Sequence, residues 1–225
     1  MEGRYCRNVP ALSEAECQLL RQKRVLVVGC GGLGGHILDQ LARIGIGHLR
    51  VVDGDVFEET NLNRQLLSCV PLLGVGKAKA AAEHIARVNP EISVEAVEAF
   101  LTKDNARQLV AGCDIVMDAL DNIPSRKILA AACSEAGIPY VYGAISGWVA
   151  QAAVSMPGDD LMEILFPEEV EIRDKSVLSF TPALCASLQV SLCVKLLTGQ
   201  PVEAGTVYHF DILNLEFDTI PLILI

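Results

Sequence analysis

Between Arg24 and Asp55 the chain reads RVLVVGCGGLGGHILDQLARIGIGHLRVVDGD, and this stretch limits the fold more than any other. The apolar run Val25 to Val28 passes straight into Gly29-Cys30-Gly31-Gly32-Leu33-Gly34, then a helical pattern, then a second strand ending at Asp53. A strand that turns into a helix this quickly needs glycine. Side chains there would hold the helix off the strand and keep an anion away from the backbone N–H groups of the turn. The helix beginning near Gly32 adds its N-terminal dipole, so the loop is a ready anion site. Asp53 follows about 20 residues after Gly34, where a carboxylate at the next strand end can meet ribose hydroxyls. A glycine fingerprint alone is weak evidence. With a strand before it, a helix after it and that acid, it points to a nucleotide site.

The remaining chain repeats the strand–helix alternation. Ser13 followed by Glu16 fits a capping box, so the arm 1–23 contains a helix running to about Arg21. Ahead of it, Arg4-Tyr5-Cys6-Arg7-Asn8 reads as a short extended segment with two guanidiniums. After Asp53 a polar loop, GDVFEETNLNRQ, sits at a strand's carboxyl end, where open α/β sheets bind ligands. Asn61 and Arg64 can face one ligand from a single helical turn. Lys77 opens the helix KAKAAAEHIARVN, a poor place for a cation unless an anion is bound nearby.

Ser93 to Phe100 alternates as a strand, and Asp104 to Ala111 reads as a short helix. Cys113 to Leu120 is apolar except for Asp114 and Asp118, which suggests a central parallel strand. It ends in Asp121-Asn122, before a helix with Pro124 in its first turn. Strands at Pro139 to Ile145 and Val149 to Met156 follow. Gly158 to Ser179 is acidic and without period, a surface loop. Pro182 to Leu197 is a buried helix, and Thr206 to Leu213 with Leu215 to Ile220 form a hairpin around Asn214. The ending PLILI is an edge hazard unless it pairs. The expected fold is a doubly wound, mostly parallel α/β sheet of the Rossmann-like kind. Helices cover both faces, and antiparallel strands lie towards the C-terminus.

The 225 residues suit one domain, and the half that are hydrophobic supply ample core. A net charge of −10 argues against nucleic-acid binding. No leader is visible in the polar first 23 residues, and no apolar run approaches a membrane span of about 20 residues. The reading is a cytoplasmic protein without membrane contact. Eight cysteines include no C-x-x-C pair, so zinc-knuckle spacing is absent and free buried thiols are expected.

The glycine loop, Asp53, the Asn61/Arg64/Lys77 set and Asp121 converge on one sheet edge. Cations plus one free carboxylate suit phosphate chemistry, with Asp121 holding Mg²⁺ and the cations stabilising a leaving pyrophosphate. The loop G-x-x-x-x-G-K-[ST] is absent, which argues against an ordinary P-loop phosphotransferase.

GCGGLGGHILDQLARIGIGHLRVVDGDVFEETNLNRQ, the later GVGKAKAAAEHIARVNP and the DALDN element closely resemble the ThiF/MoeB/HesA adenylyltransferases, bacterial relatives of ubiquitin-activating enzymes. The resemblance runs from about Arg4 to Phe217. It implies a single adenylation domain: arm and helix 1–23, nucleotide-binding core 24–157, crossover loop 158–180, C-terminal helix and hairpin 181–225. Gly29, Gly31, Gly32 and Gly34 would form the ATP loop and Asp53 would bind the ribose. Asp55 is counted with the nucleotide-binding residues. Asn61, Arg64 and Lys77 would contact the phosphates, and Asp121 would coordinate Mg²⁺. The Arg4-Tyr5-x-Arg7 run resembles the family's R-Y-x-R-Q, with Asn8 in place of Gln. Arg7 would then reach the neighbouring subunit's nucleotide and make a homodimer necessary for activity. The implied reaction is adenylation of the Gly-Gly tail of a ubiquitin-like sulfur carrier of ThiS/MoaD type.

Two features of the family are missing. Neither zinc-binding C-x-x-C pair is present, so no zinc is expected. No cysteine falls in Gly158 to Ser179, and Cys185, inside the following helix, reads as core packing rather than a nucleophile. The competing readings are activation of another carboxyl substrate (a peptide or a tRNA-linked group), a non-catalytic binding relative, and an NAD(P)-linked oxidoreductase.

Overall fold

In the computed structural model, which describes residues 3–168 and 176–222, Ser13 and Glu16 form the reciprocal cap. Glu16 N donates to Ser13 Oγ at 3.2 Å and Ser13 N to Glu16 Oε2 at 2.7 Å. This cap starts α1 (Glu14–Leu20). Strand β1 (Arg24–Val28) leads into α2 (Gly32–Ile44), and Gly45, with φ +96°, ends that helix in the left-handed region. Then come β2 (His48–Val52), α3 (Lys77–Val88), β3 (Ser93–Val97), α4 (Lys103–Val110), β4 (Ile115–Asp118) and α5 (Ile123–Ala136). Strands β5 (Tyr140–Ser146) and β6 (Val149–Ser155), helices α6 (Leu161–Leu165) and α7 (Phe180–Thr198), and the hairpin β7 (Thr206–Asp211) with β8 (Glu216–Pro221) complete the fold.

All eight strands join one sheet in the order β3-β2-β1-β4-β5-β6-β7-β8. The first five are parallel and the last three antiparallel. Side-chain alternation along β1 explains its unbroken apolar run. Val25 and Val27 pack with Ile37, Leu41 and Ile85 on one face, while Leu26 and Val28 pack with Val110 and Leu129 on the other. A strand buried on both faces has no polar side to show. Because β1 is flanked by β2 and β4, the chain reverses its direction of winding there. The carboxyl ends of the two strands open a crevice at that switch point.

Helix α7 is long and apolar enough to cross a membrane by composition alone, yet Cys185, Ala186, Gln189 and Cys193 are buried within the protein. It packs against α2, β5 and β6 as a core helix.

Three local readings change. Gly3–Asn8 is a 3₁₀ helix rather than extended, because Tyr5 turns inward and its hydroxyl accepts from Asn89 Nδ2 at 2.7 Å. Strand β3 stops at Val97, and Ala99 and Phe100 leave the sheet to line the crevice. The acidic stretch after Gly158 is not all loop, since α6 buries Leu161 and Met162; residues 169–175 of that crossover lie outside the described residues. Along the hairpin, β8 is exposed throughout. Leu222 N bonds Gly205 O at 2.7 Å, and the last three residues of PLILI lie outside the described residues.

Candidate functional site

The crevice is a cleft of about 430 Å³, within the range of small-molecule sites. Its floor is the turn from β1 into α2. Gly29 has φ +98°, and a Cβ there would run into the carbonyl of Ala119 on the neighbouring β4 end. Gly34 does not face the cleft. A side chain on it would strike the carbonyl oxygen of Gly29, so this glycine lets the helix close on the strand. Gly31 and Gly32 do line the cleft. Gly31 is the N-cap of α2 and brings no side chain to it, so the first N–H groups of the helix are left for a ligand.

Asp53 sits at the end of β2. Its Oδ2 accepts from Cys30 N at 2.7 Å and its Oδ1 from Asp55 N at 2.8 Å. A carboxylate has about four acceptor positions, so two remain for ribose hydroxyls. Burial holds its pKa above the ordinary carboxylate value, opposed by those two backbone donors and by Lys77. Lys77, the first residue of α3 and 7% exposed, places its ammonium 3.3 Å from Asp55 Oδ2. Arg64 also lines the cleft. Its Nη1 donates to Thr60 O and Asn63 Oδ1, both at 2.8 Å, which steadies the guanidinium while leaving donors unused.

Asp121 also lines the cleft, exposed on the turn after β4, and accepts from Asn122 Nδ2 at 3.2 Å. Among the described residues no three His, Cys, Asp or Glu side chains gather to hold a metal by themselves. Mg²⁺ is commonly held by one or two carboxylates together with phosphate oxygens and water. A single exposed carboxylate in the same cleft as the Gly29–Gly32 turn fits that use.

Two expected residues stand elsewhere. Asn61 is 8% exposed and does not line the cleft. Its Oδ1 accepts from Glu58 N at 3.0 Å, and its carbonyl receives Arg64 N and Gln65 N. It shapes the turn that presents Arg64. Arg7 is exposed, does not line its own chain's cleft, and makes no hydrogen bond or ion pair with a described residue. Its neighbour Arg4 is held by Asn89 and Glu91.

Two lining residues escaped the sequence reading. Gln65 is 7% exposed and its Oε1 is buried without a partner; its place beside Arg64 in NLNRQ was the available signal. Arg126, 6% exposed, reaches the cleft from α5. Cys185 is enclosed, with its thiol donating to Gln151 O at 3.2 Å and its pKa pushed up to about 12 by burial. It has the core position expected of it.

The sequence model of the ThiF family matches residues 5–223. The SAMP-activating enzyme E1 of Haloferax volcanii is 39% identical over 210 residues, spanning 90% of this chain and 77% of that protein. The probable adenylyltransferase/sulfurtransferase MoeZ of Mycobacterium tuberculosis is 34% identical over 232 residues, 97% of this chain but only 59% of its own length. Among solved structures, E. coli MccB with ATP superposes with a TM-score of 0.84 at 21% identity, covering 99% of this chain and 72% of that one. That likeness is one of fold.

Proposed function

The chain belongs to the ThiF family and is an enzyme of the adenylyltransferase class, and from this we propose that it activates the C-terminal carboxylate of a ubiquitin-like carrier protein ending in Gly-Gly, with ATP as the adenylyl donor. The observation that carries the reading is that Arg64, Lys77 and Asp121, from three separate segments, line one cleft with the Gly29–Gly32 turn.

The carrier's carboxylate oxygen attacks the α-phosphorus of ATP. A new P–O bond forms, the bond to the β-phosphate oxygen breaks, and pyrophosphate leaves with the electron pair. No proton need move. The obstacle is charge: two anions about 4 Å apart repel by about 4 kcal/mol at the dielectric of a protein surface. Arg64 and Lys77 offset that repulsion and hold the two anions in line, while Asp53 fixes the ribose. Asp121 would hold Mg²⁺, and the ion would supply positive charge for the pyrophosphate. Arg7, exposed on the arm, supplies a further cation to the cleft of a second protomer, so the active form is a homodimer.

The test is incubation with ATP, Mg²⁺ and a Gly-Gly carrier. The expected result is pyrophosphate release and a carrier heavier by one adenylyl group. Absence of both with every carrier offered, or a rate untouched by Asp121→Asn, overturns the reading.

A further inference from the structure

Beneath the turn that bears Asp121 lies a buried ion pair that the reaction itself does not use. Asp118 ends β4 and is fully buried. Arg126 lies one turn into α5, where the cap made by Asn122 places it. Arg126 Nη1 is 3.3 Å from Asp118 Oδ2 and donates to Gly143 O of β5 at 2.8 Å. Nη2 donates to Leu120 O. Arg126 Cζ lies 5.0 Å from the Tyr142 ring centroid, and Tyr140 donates its hydroxyl to Asp118 Oδ2 at 2.6 Å.

Leu120 is gripped from both sides. Its N–H donates to Asp118 Oδ1 at 2.9 Å and its carbonyl receives Arg126. The peptide plane that leads into Asp121 is therefore set by the two members of one buried pair. Burying two charges costs several kcal/mol per ion before pairing, and a well-packed apolar pair often serves stability as well. What an apolar pair cannot do is hold both polar groups of Leu120.

Building on the function proposed above, the geometry points to Arg126 as a positioning residue. With Asp118 it locks Leu120 so that Asp121 stays in the wall of the cleft it shares with the Gly29–Gly32 turn. Arginine is required because its planar fork binds two carbonyls and a carboxylate at once, while lysine is a point charge.

Arg126→Lys tests this by two readouts. The first is amide hydrogen exchange of the chain without ATP or carrier. Exchange at Leu120 should rise about tenfold or more, while amides inside β1 and β2, such as Val27 and Val51, keep their rates. The second is ATP–pyrophosphate exchange, where kcat should fall about tenfold or more with KM for ATP within about threefold. Should Arg126→Lys fail to fold, Tyr140→Phe removes only the hydroxyl on Asp118, and should move Leu120 exchange the same way by about threefold. Unchanged Leu120 exchange in the folded variants overturns the proposal. So does an equal rise at every amide with kcat per folded molecule unaltered, which is what a purely structural role would give. The exchange readout needs no activity. A wild-type chain inert toward every carrier would therefore refute the reaction without touching this inference.

Discussion

The ammonium of Lys77 and the carboxylate of Asp55 lie 3.3 Å apart at the mouth of the cleft, the lysine nearly buried and the acid more than half exposed. A lysine at the first position of a helix works against the helix dipole, and the carboxylate of Asp55 offsets that mismatch. Lys77→Met should lower pyrophosphate exchange by about 10²–10³-fold, with the thermal midpoint little changed. Asp55→Asn should destabilise the free protein by no more than about 1 kcal/mol, because Asp55 faces solvent. ATP should then raise the midpoint more in Asp55→Asn than in wild type, since the nucleotide supplies the missing negative charge. Equal ATP shifts in the two proteins would refute that link.

Two glycines two residues apart in the loop motif, Gly32 and Gly34, should respond oppositely to alanine. A Cβ on Gly34 would enter the carbonyl of Gly29 and has nowhere to go. Gly34→Ala should therefore be poorly folded, seen as a thermal midpoint lowered by many degrees or as insoluble protein. A Cβ on Gly32 meets Pro182 at 3.6 Å and Arg64 Cγ at 3.9 Å, ordinary contacts. Gly32→Ala should fold as well as wild type, helped by about 0.5–1 kcal/mol of helix propensity. The methyl would project into the cleft proposed to take the phosphates, so KM for ATP should rise. A Gly32→Ala enzyme with unchanged KM would show that the nucleotide lies elsewhere.

The parts of this site that were legible in the sequence are those whose chemistry is local. Gly29, Gly31, Gly32, Asp53, Lys77 and Asp121 each mark a strand end or helix start and line the cleft, because strand ends of a parallel sheet gather at one edge. Arg126 was not legible, because its partners Asp118, Leu120 and Gly143 are brought to it by α5 and by two different strands. A signal existed: a carboxylate inside an otherwise apolar central strand demands a buried partner. Asn61 shows the converse. Its spacing from Arg64 suggested a shared ligand, but an Asn side chain readily bonds nearby backbone, and here it spends its carbonyl oxygen on Glu58 N. Tyr5 likewise pulled a segment read as extended into a 3₁₀ turn through contacts with Asn89, 84 residues away.

Arg7 offers a test of assembly that needs no structure of the dimer. If it serves a neighbouring protomer, Arg7→Ala and Lys77→Met proteins are each inactive, but their mixed dimer has one complete cleft. Equal mixing with subunit exchange should restore about one quarter of wild-type activity, since half the dimers are mixed and each has one working site of two. Dilution below the dimer dissociation constant should abolish it. An Arg7→Ala protein with full activity, or a mixture that stays inactive while mixed dimers are shown to form, would remove Arg7 from the mechanism.

Ionisation of Asp53 should act on stability and on ATP affinity with opposite signs. Burial raises its pKa above the ordinary carboxylate value, despite the N–H groups of Cys30 and Asp55 that favour the charged form. An acid with a raised folded-state pKa holds its proton more tightly folded than unfolded. Its contribution to stability is therefore fully present below the unfolded pKa, near 3.9, and is lost as pH climbs through the folded value. Asp53→Asn cannot ionise, so its stability relative to wild type should grow with pH across that window and then level off, as urea unfolding at successive pH values would show. Over the same interval wild-type affinity for ATP should rise, because the ionised carboxylate is the better acceptor for ribose hydroxyls, while Asp53→Asn should show no such rise. A stability difference independent of pH would mean that Asp53 titrates alike in both states, and an ATP affinity flat through the window would take the ribose away from it.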